Sequence, residues 1–467
     1  MADTAATGAI HPTSAIDHLL AAGLGDPETA RLVGWEARVV AMVDVERALA
    51  LALGSTGVVS EEDARAAVAA CDVSRLDPAA LAATAAGAAT PVIPLVSALA
   101  AAAGGTGVSP ALHLGATSQD IVDTAMALQL RPALDRIEHL LLRAGDRCAE
   151  LAEAHAADIM AGRTLGQHAV PITFGLKAAR WLAALDRRIV ILRRLREDHL
   201  TVQLGGAAGT SGSYGAAGLR VANEIAALLG LTVPTLPRHA ERDHIADLAG
   251  ALAATAGVAG AIATDMALLA QTEVAEIGFS GDGGPTSSAM PHKRNPVDAV
   301  AARAAARLAV AEASTLIAAV ADHELERAAG AWQAEWVAVP SLLVRTAGAL
   351  LRAGDALHHL MFDPARARRN LFEGLGLTAS ESLGNALAER MGRPEAAQLS
   401  ADLSAAAAST GRQLAEVALS DAAVISAIGE DRARAALDPA ATLALVPELI
   451  ARALAEHRDV RAAISLG

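Results

Sequence analysis

At 467 residues the chain is longer than a single hydrophobic core serves, so two or three domains are expected. A formal net charge of −14, with no long Lys/Arg block, would repel phosphate backbones and anionic lipid, so nucleic acid and membrane surfaces are not expected partners. The two cysteines, Cys71 and Cys148, stand in no close-spaced metal pattern and suit a reducing cytoplasm, which argues against a disulfide framework or a thiolate metal site.

Aromatic residues make up only 2% beside abundant alanine, a balance that favours helices over sheets. The first ten residues carry Asp3 and no basic cluster ahead of an apolar stretch, unlike a signal peptide. Up to about Pro110 short amphipathic pieces are broken by Pro and Gly, ending in the breaker-rich stretch 104–110. Long helices are predicted over 119–157 with a bend at Pro132, over 171–202 with Pro171 in the first turn, and over 239–277, 296–321 and 332–352. The uncharged run 248–264 is mostly Ala and Gly, short for a span, and flanked by Asp247 and Asp265, so it reads as a helix buried among helices. Past Phe362 the pieces shorten again, with polar starts at Asp363-Pro364 and Thr378-Ala-Ser380. The expected architecture is all-α in three helical domains: 1–112, a central long-helix bundle over 113–362, and a small domain over 363–467.

The chemistry-bearing segment reads Gly278-Phe-Ser-Gly-Asp-Gly-Gly-Pro-Thr-Ser-Ser-Ala-Met-Pro-His-Lys-Arg-Asn-Pro296. Four glycines within seven residues predict a mobile loop. Lys293, Arg294 and Asn295 then precede a predicted helix start at Pro296, where basic side chains and free backbone N–H groups make an anion site. By composition alone, a solvated linker with a chance basic cluster would look the same. Two further segments stand out, His113-Leu-Gly-Ala-Thr-Ser-Gln-Asp-Ile-Val-Asp-Thr124 and Arg163-Thr-Leu-Gly-Gln-His-Ala-Val-Pro171. Thr117 and Ser118 are either helix caps or hydroxyl ligands for a carboxylate, and Arg163 either pairs bidentately with a carboxylate or makes a surface salt bridge.

The wording Ser287-Ser-x-Met-Pro-x-Lys-x-Asn-Pro296 closely resembles the signature of the fumarase/aspartase superfamily. The two other segments resemble its further conserved regions, in the same order, and the resemblance covers essentially the whole chain. It implies a bundle of long helices in a homotetramer whose active sites are each assembled from three subunits. It implies elimination of, or addition at, a position β to a carboxylate, through an aci-carboxylate dianion. Ser287 is then the base that moves the Cα proton, brought over the substrate by closure of the 281–284 stretch, with Ser288 the weaker candidate. Lys293, Asn295 and backbone N–H groups would stabilise the dianion. No metal or cofactor is implied; His113, His168 and His292 lack a helical ligand pair and are read as polar site or packing residues, not metal ligands.

Leu165 stands where adenylosuccinate lyases and fumarases carry a histidine that handles the leaving or entering group. Leucine cannot transfer a proton, so the group should leave unprotonated, as a carboxylate does and an amine does not. His113-Leu-Gly-Ala-Thr-Ser-Gln-Asp, Pro171-Ile-Thr-Phe-Gly-Leu-Lys177, Gln203-Leu-Gly-Gly-Ala-Ala-Gly-Thr210 and Ala328-Ala-Gly-Ala-Trp-Gln-Ala-Glu-Trp336 resemble the bacterial 3-carboxy-cis,cis-muconate cycloisomerases, which form 4-carboxymuconolactone in protocatechuate breakdown. For such a small polycarboxylate, Arg163, Lys293, Arg294 and Arg327 are the expected counter-charges, with His113, Thr117, Ser118, Gln203 and Asn295 as further contacts. His168 is the candidate to replace the missing histidine. The chain departs from the pattern at Thr286, where glycine usually precedes the serine, and at Leu325, where a histidine would be expected. A nitrosuccinate lyase is the second reading, because nitrite also leaves unprotonated. Adenylosuccinate lyase shares the serine-loop wording but is disfavoured by Leu165. A non-catalytic structural oligomer is disfavoured by the intact Ser287, Lys293 and Asn295.

Overall fold

The computed structural model describes residues 23–102, 109–280, 290 and 293–465. Short helices come first: α1 (Pro27–Val33), α2 (Trp35–Ser55), α3 (Glu61–Ala70), α4 (Pro78–Ala88) and α5 (Val92–Ala102). Their starts are locally encoded. Ser60 caps α3 by accepting from the Asp63 N–H, and Asp77 caps α4 with Pro78 in the first turn.

The long helices follow: α6 (Ser118–Ala154, with Pro132 inside), α7 (Phe174–His199), α9 (Asp243–Leu269), α10 (Val297–Ala319) and α11 (Ala331–His359), with the shorter α8 (Gly218–Leu229) before α9. The fold is mainly helical, as expected, but two small antiparallel pairs interrupt it. Strands β1 (Ile159–Thr164) and β2 (Gln167–Thr173) form one, and β3 (Ile277–Phe279) and β4 (Leu360–Phe362) the other. Pro171 therefore does not open a helix. It lies in β2 opposite Ala161, beside a register shift, which a two-stranded pair tolerates because proline needs no ladder donor there. The expected helix starts three residues later, at Phe174. The C-terminal helices are α12 (Pro364–Glu373), α13 (Ser380–Met391), α14 (Arg393–Thr410), α15 (Leu414–Ser420), α16 (Ala422–Ile428), α17 (Glu430–Leu437) and α18 (Val446–Ser465). Asp363 caps α12 with Pro364 behind it, as the sequence indicates.

The described residues divide into two compact units, one made of those within 23–140, 188–260 and 301–351, the other of those within 141–187, 261–300 and 352–465. In the first unit Met42, Leu95, Leu99, Ile121 and Trp332 share one apolar cluster, and Leu49, Leu53, Leu204, Val221 and Ile225 share another. Small residues set the helix spacing: a Cβ on Gly260 would come within 2.9 Å of Ala306 Cβ. Arg242, just ahead of α9, lies between Asp123 of α6 at 2.7 Å and Glu335 of α11 at 3.0 and 2.5 Å. Burial works against its charge, but Asp123 and Glu335 outweigh that and hold the guanidinium pKa above its ordinary value.

In the second unit Phe174 stacks on Phe362 with ring centroids 4.2 Å apart. Leu383, Leu387, Leu403, Leu414 and Val424 form the core of the C-terminal helices. His457 of α18 lies buried between Asp186 at 2.9 Å and Asp146 at 3.0 Å. Burial pushes the Cys71 thiol up to about 12, and both cysteines are free and buried. Among the described residues three helices, Asp243–Leu269, Val297–Asp322 and Ala331–His359, are long and apolar enough to cross a membrane by length and composition.

Candidate active site

The His113–Thr124 segment lies in the first unit and turns into α6 at Ser118. The spacing Thr117-x-x-Asp120 is that of a capping box, and the Thr117 N–H donates to Asp120 Oδ2 at 3.0 Å. Thr117 and Ser118 are half-buried and stand at the positive end of a 37-residue helix. Asp120 is buried, and it also accepts from the Gly205 N–H at 2.9 Å, the Gly206 N–H at 2.9 Å and His239 Nε2 at 2.7 Å. One carboxylate thus joins the Thr117 turn to the loop that follows Gln203.

Gln203 is buried beside this junction. Its side-chain oxygen accepts from the Arg238 N–H at 2.9 Å, and its backbone exchanges hydrogen bonds with the Thr124 hydroxyl at 2.9 and 3.2 Å. Arg327 Nη2 donates to the carbonyls of Gly206 at 3.0 Å and Ala207 at 2.6 Å and lies 3.5 Å from Thr117 Oγ1. The structure therefore brings Thr117, Gln203 and Arg327 to one loop cluster. His113 joins its edge with a left-handed φ of +55° and Nδ1 2.6 Å from the buried Glu46 Oε1. Burial disfavours its imidazolium, yet the Glu46 hydrogen bond and charge, with Asp120 beyond, raise its pKa above the ordinary histidine value. Burial, then Asp120 and Glu46, push the Tyr214 phenol up. A guanidinium, hydroxyls and a helix start form an anion-accepting set, with the His113 imidazole at its edge.

The Arg163–Pro171 segment lies in the second unit and is the β1–β2 hairpin. Leu165 and Gly166 form its two-residue tip with φ of +52° and +80°, as a type I′ turn requires, and the Leu165 side chain is 102% exposed. Arg163 gives its fork to Glu276, with Nη1 at 2.9 Å and Nη2 at 2.5 Å, and Asn370 Nδ2 reaches the same carboxylate at 2.9 Å. Glu276 is 0% exposed. Arg163, expected as a counter-charge for a substrate carboxylate, instead spends its fork on the protein's own buried Glu276. His168 faces Arg163 across the hairpin, and partial burial, then the Arg163 charge, lower its pKa.

Lys293, Arg294 and Asn295 are exposed and precede α10, which starts at Val297, one residue after the expected Pro296. Ser287, Ser288, Thr286 and His292 lie outside the described residues. Leu325 sits in a tight turn between Glu324 and Arg327 with φ of +51° and a 91% exposed side chain. Asp120, His239, Glu46, Glu276 and Asn370 were not among the candidates from sequence. Only Asp120 had a local signal, its capping-box spacing from Thr117.

Residues 28–310 match the protein family described as lyase. The 3-carboxy-cis,cis-muconate cycloisomerase of Bradyrhizobium diazoefficiens is 42% identical over 82% of this chain and 85% of its own length. The nitrosuccinate lyase of Streptomyces davaonensis is 39% identical over 81% of this chain and 82% of its own. The crystal structure of the 3-carboxy-cis,cis-muconate lactonizing enzyme from Pseudomonas putida superposes with a TM-score of 0.87 at 38% identity, covering 95% of this chain and 100% of that one. With its family match spanning both the His113 and Arg163 segments and the serine motif, the chain belongs to the fumarase/aspartase superfamily of lyases.

Proposed function

We propose that the protein is a 3-carboxy-cis,cis-muconate cycloisomerase. Kinship with cycloisomerases along most of the chain carries this reading. Leu165 supports it, since an exposed leucine at the hairpin tip offers no proton to a leaving group. In the reaction a carboxylate oxygen of the substrate adds to its own conjugated double bond, closing the lactone ring. The electrons move into a second carboxylate as the aci-carboxylate dianion, and Cα then takes a proton.

In this reading Ser287 moves that proton, and Lys293 and Asn295 hold the dianion. His113, Thr117, Ser118, Gln203 and Arg327 receive a substrate carboxylate, and Arg294 adds positive field. Arg163 fixes the hairpin that carries His168, its own charge balanced by Glu276. The working form is a cytoplasmic homotetramer. Its apolar interface is supported by the exposed Val300, Val310 and Ile317 of α10 and Val337 of α11, which a second copy would cover.

The test is the ultraviolet absorbance of 3-carboxy-cis,cis-muconate with purified enzyme and with Ser287→Ala, because ring closure breaks the conjugated diene. Serine-dependent loss of absorbance with lactone as product is the expected result. No change with a folded tetramer overturns it. Fumarate release from nitrosuccinate would then establish the second reading, which the Streptomyces relative and the missing acid at position 165 favour.

A further inference from the structure

Asp120 uses its whole acceptor capacity inside the protein. Oδ1 takes Gly205 N–H and His239 Nε2, and Oδ2 takes Thr117 N–H and Gly206 N–H, all between 2.7 and 3.0 Å. A carboxylate offers about four lone-pair sites, so nothing remains for a ligand. Asp120 can act on a substrate only through the groups it holds.

Those groups are placed with little freedom. A Cβ on Gly205 would come within 2.6 Å of His239 Cε1, and one on Gly206, at φ +65°, within 2.9 Å of the Gly115 carbonyl oxygen. Two adjacent glycines are therefore what lets the loop close on the carboxylate. His239, which Asp120 holds, and the neighbouring Gln119 and Gln203 also keep unspent polar atoms: His239 Nδ1, Gln119 Oε1 and Gln203 Nε2 are buried with no hydrogen-bond partner among the described residues. Buried polar atoms of this kind need a water or a ligand to complete them. Arg327 closes the other side of the same loop through Gly206 O and Ala207 O.

We propose that Asp120 is the positioning residue of the substrate-carboxylate subsite. It locks the Thr117–Ser118 turn to the Gly205–Gly206 loop, which Arg327 also grips, so that the hydroxyls and the Arg327 guanidinium are held together for one carboxylate group. The proposal rests on the reading that Thr117, Ser118 and Gln203 receive a substrate carboxylate. Asp120→Asn keeps the shape but puts an NH2 group where an oxygen accepted, so at least one backbone N–H loses its acceptor even where His239 changes tautomer to accept from the amide.

The experiment is steady-state kinetics of full-length Asp120→Asn beside Thr117→Val/Ser118→Ala, on whichever of 3-carboxy-cis,cis-muconate or nitrosuccinate the native enzyme turns over. The expected result is KM raised about tenfold or more in Asp120→Asn with kcat within about threefold of native, the pattern of lost substrate binding. A purely structural role would lower the folded fraction, and with it apparent kcat, at constant KM. Unchanged KM in Asp120→Asn, with KM raised in the hydroxyl variant, overturns the proposal alone. Unchanged KM in the hydroxyl variant overturns the carboxylate-subsite reading and the proposal with it. If Asp120→Asn does not fold, His239→Leu removes a single donor to Asp120 and carries the same test, with a severalfold rise in KM expected and an unchanged KM refuting.

Discussion

Replacing Arg242 with methionine tests whether the buried ion cluster holds the long helices together. Arg242 is 2% exposed and is the common partner of Asp123 and Glu335, which are themselves buried. Methionine fills much of the volume, so the loss is chiefly electrostatic: two carboxylates stay in a low-dielectric site without their cation. Removing one partner of such a cluster costs about 3–5 kcal/mol, and the Trp332 indole N–H, 2.8 Å from Asp123 Oδ1, offsets only part of it. We expect Arg242→Met to lower the unfolding free energy by about 3 kcal/mol or more, read from urea unfolding followed by tryptophan fluorescence. Adding Asp123→Asn and Glu335→Gln should recover much of the loss, because no uncompensated charge then remains. A single-variant loss below about 1 kcal/mol, or no recovery in the triple variant, would refute the reasoning.

Three further outcomes are expected. His168→Ala lowers the catalytic rate and leaves assembly intact by size-exclusion chromatography; an unchanged rate removes His168 from the mechanism. The Asp186 hydrogen bond, aided by Asp146 and opposed by burial, raises the His457 pKa, so its contribution is fully present below the unfolded value of 6.5 and is lost as pH rises through the folded one. The stability advantage of native protein over His457→Gln, measured by urea midpoints, should accordingly be largest near about pH 6 and shrink toward alkaline pH; an advantage that grows with pH contradicts the linkage. Leu165→Asn should raise stability by about 1 kcal/mol, since Asn-Gly suits a turn with φ of +52° and +80° and leucine does not. An unmoved urea midpoint would mean that leucine sits there without strain.

What the sequence makes legible here is what lies within one helical turn or one long run. The cap at Asp363, the start of α6 after Thr117 and the cores of the long helices all follow from spacing and alanine content. The β1–β2 hairpin does not, because its tip is Leu-Gly and not Asn-Gly, and Pro171 imitates a helix start. The same limit applies at the candidate site. Thr117, Gln203 and Arg327 could be named from motif wording, but what holds them is non-local: His239 meets Asp120 from 119 residues away, and Glu276 meets Arg163 from 113. Such pairs leave no periodicity in the chain. A polar residue that sits where capping would place it, as Asp120 does, is then ambiguous in sequence, because the same carboxylate that starts a helix can also gather distant loops. Its burial and its four filled acceptor positions resolve the ambiguity: a cap alone needs one or two donors, and this one draws in two other segments of the chain.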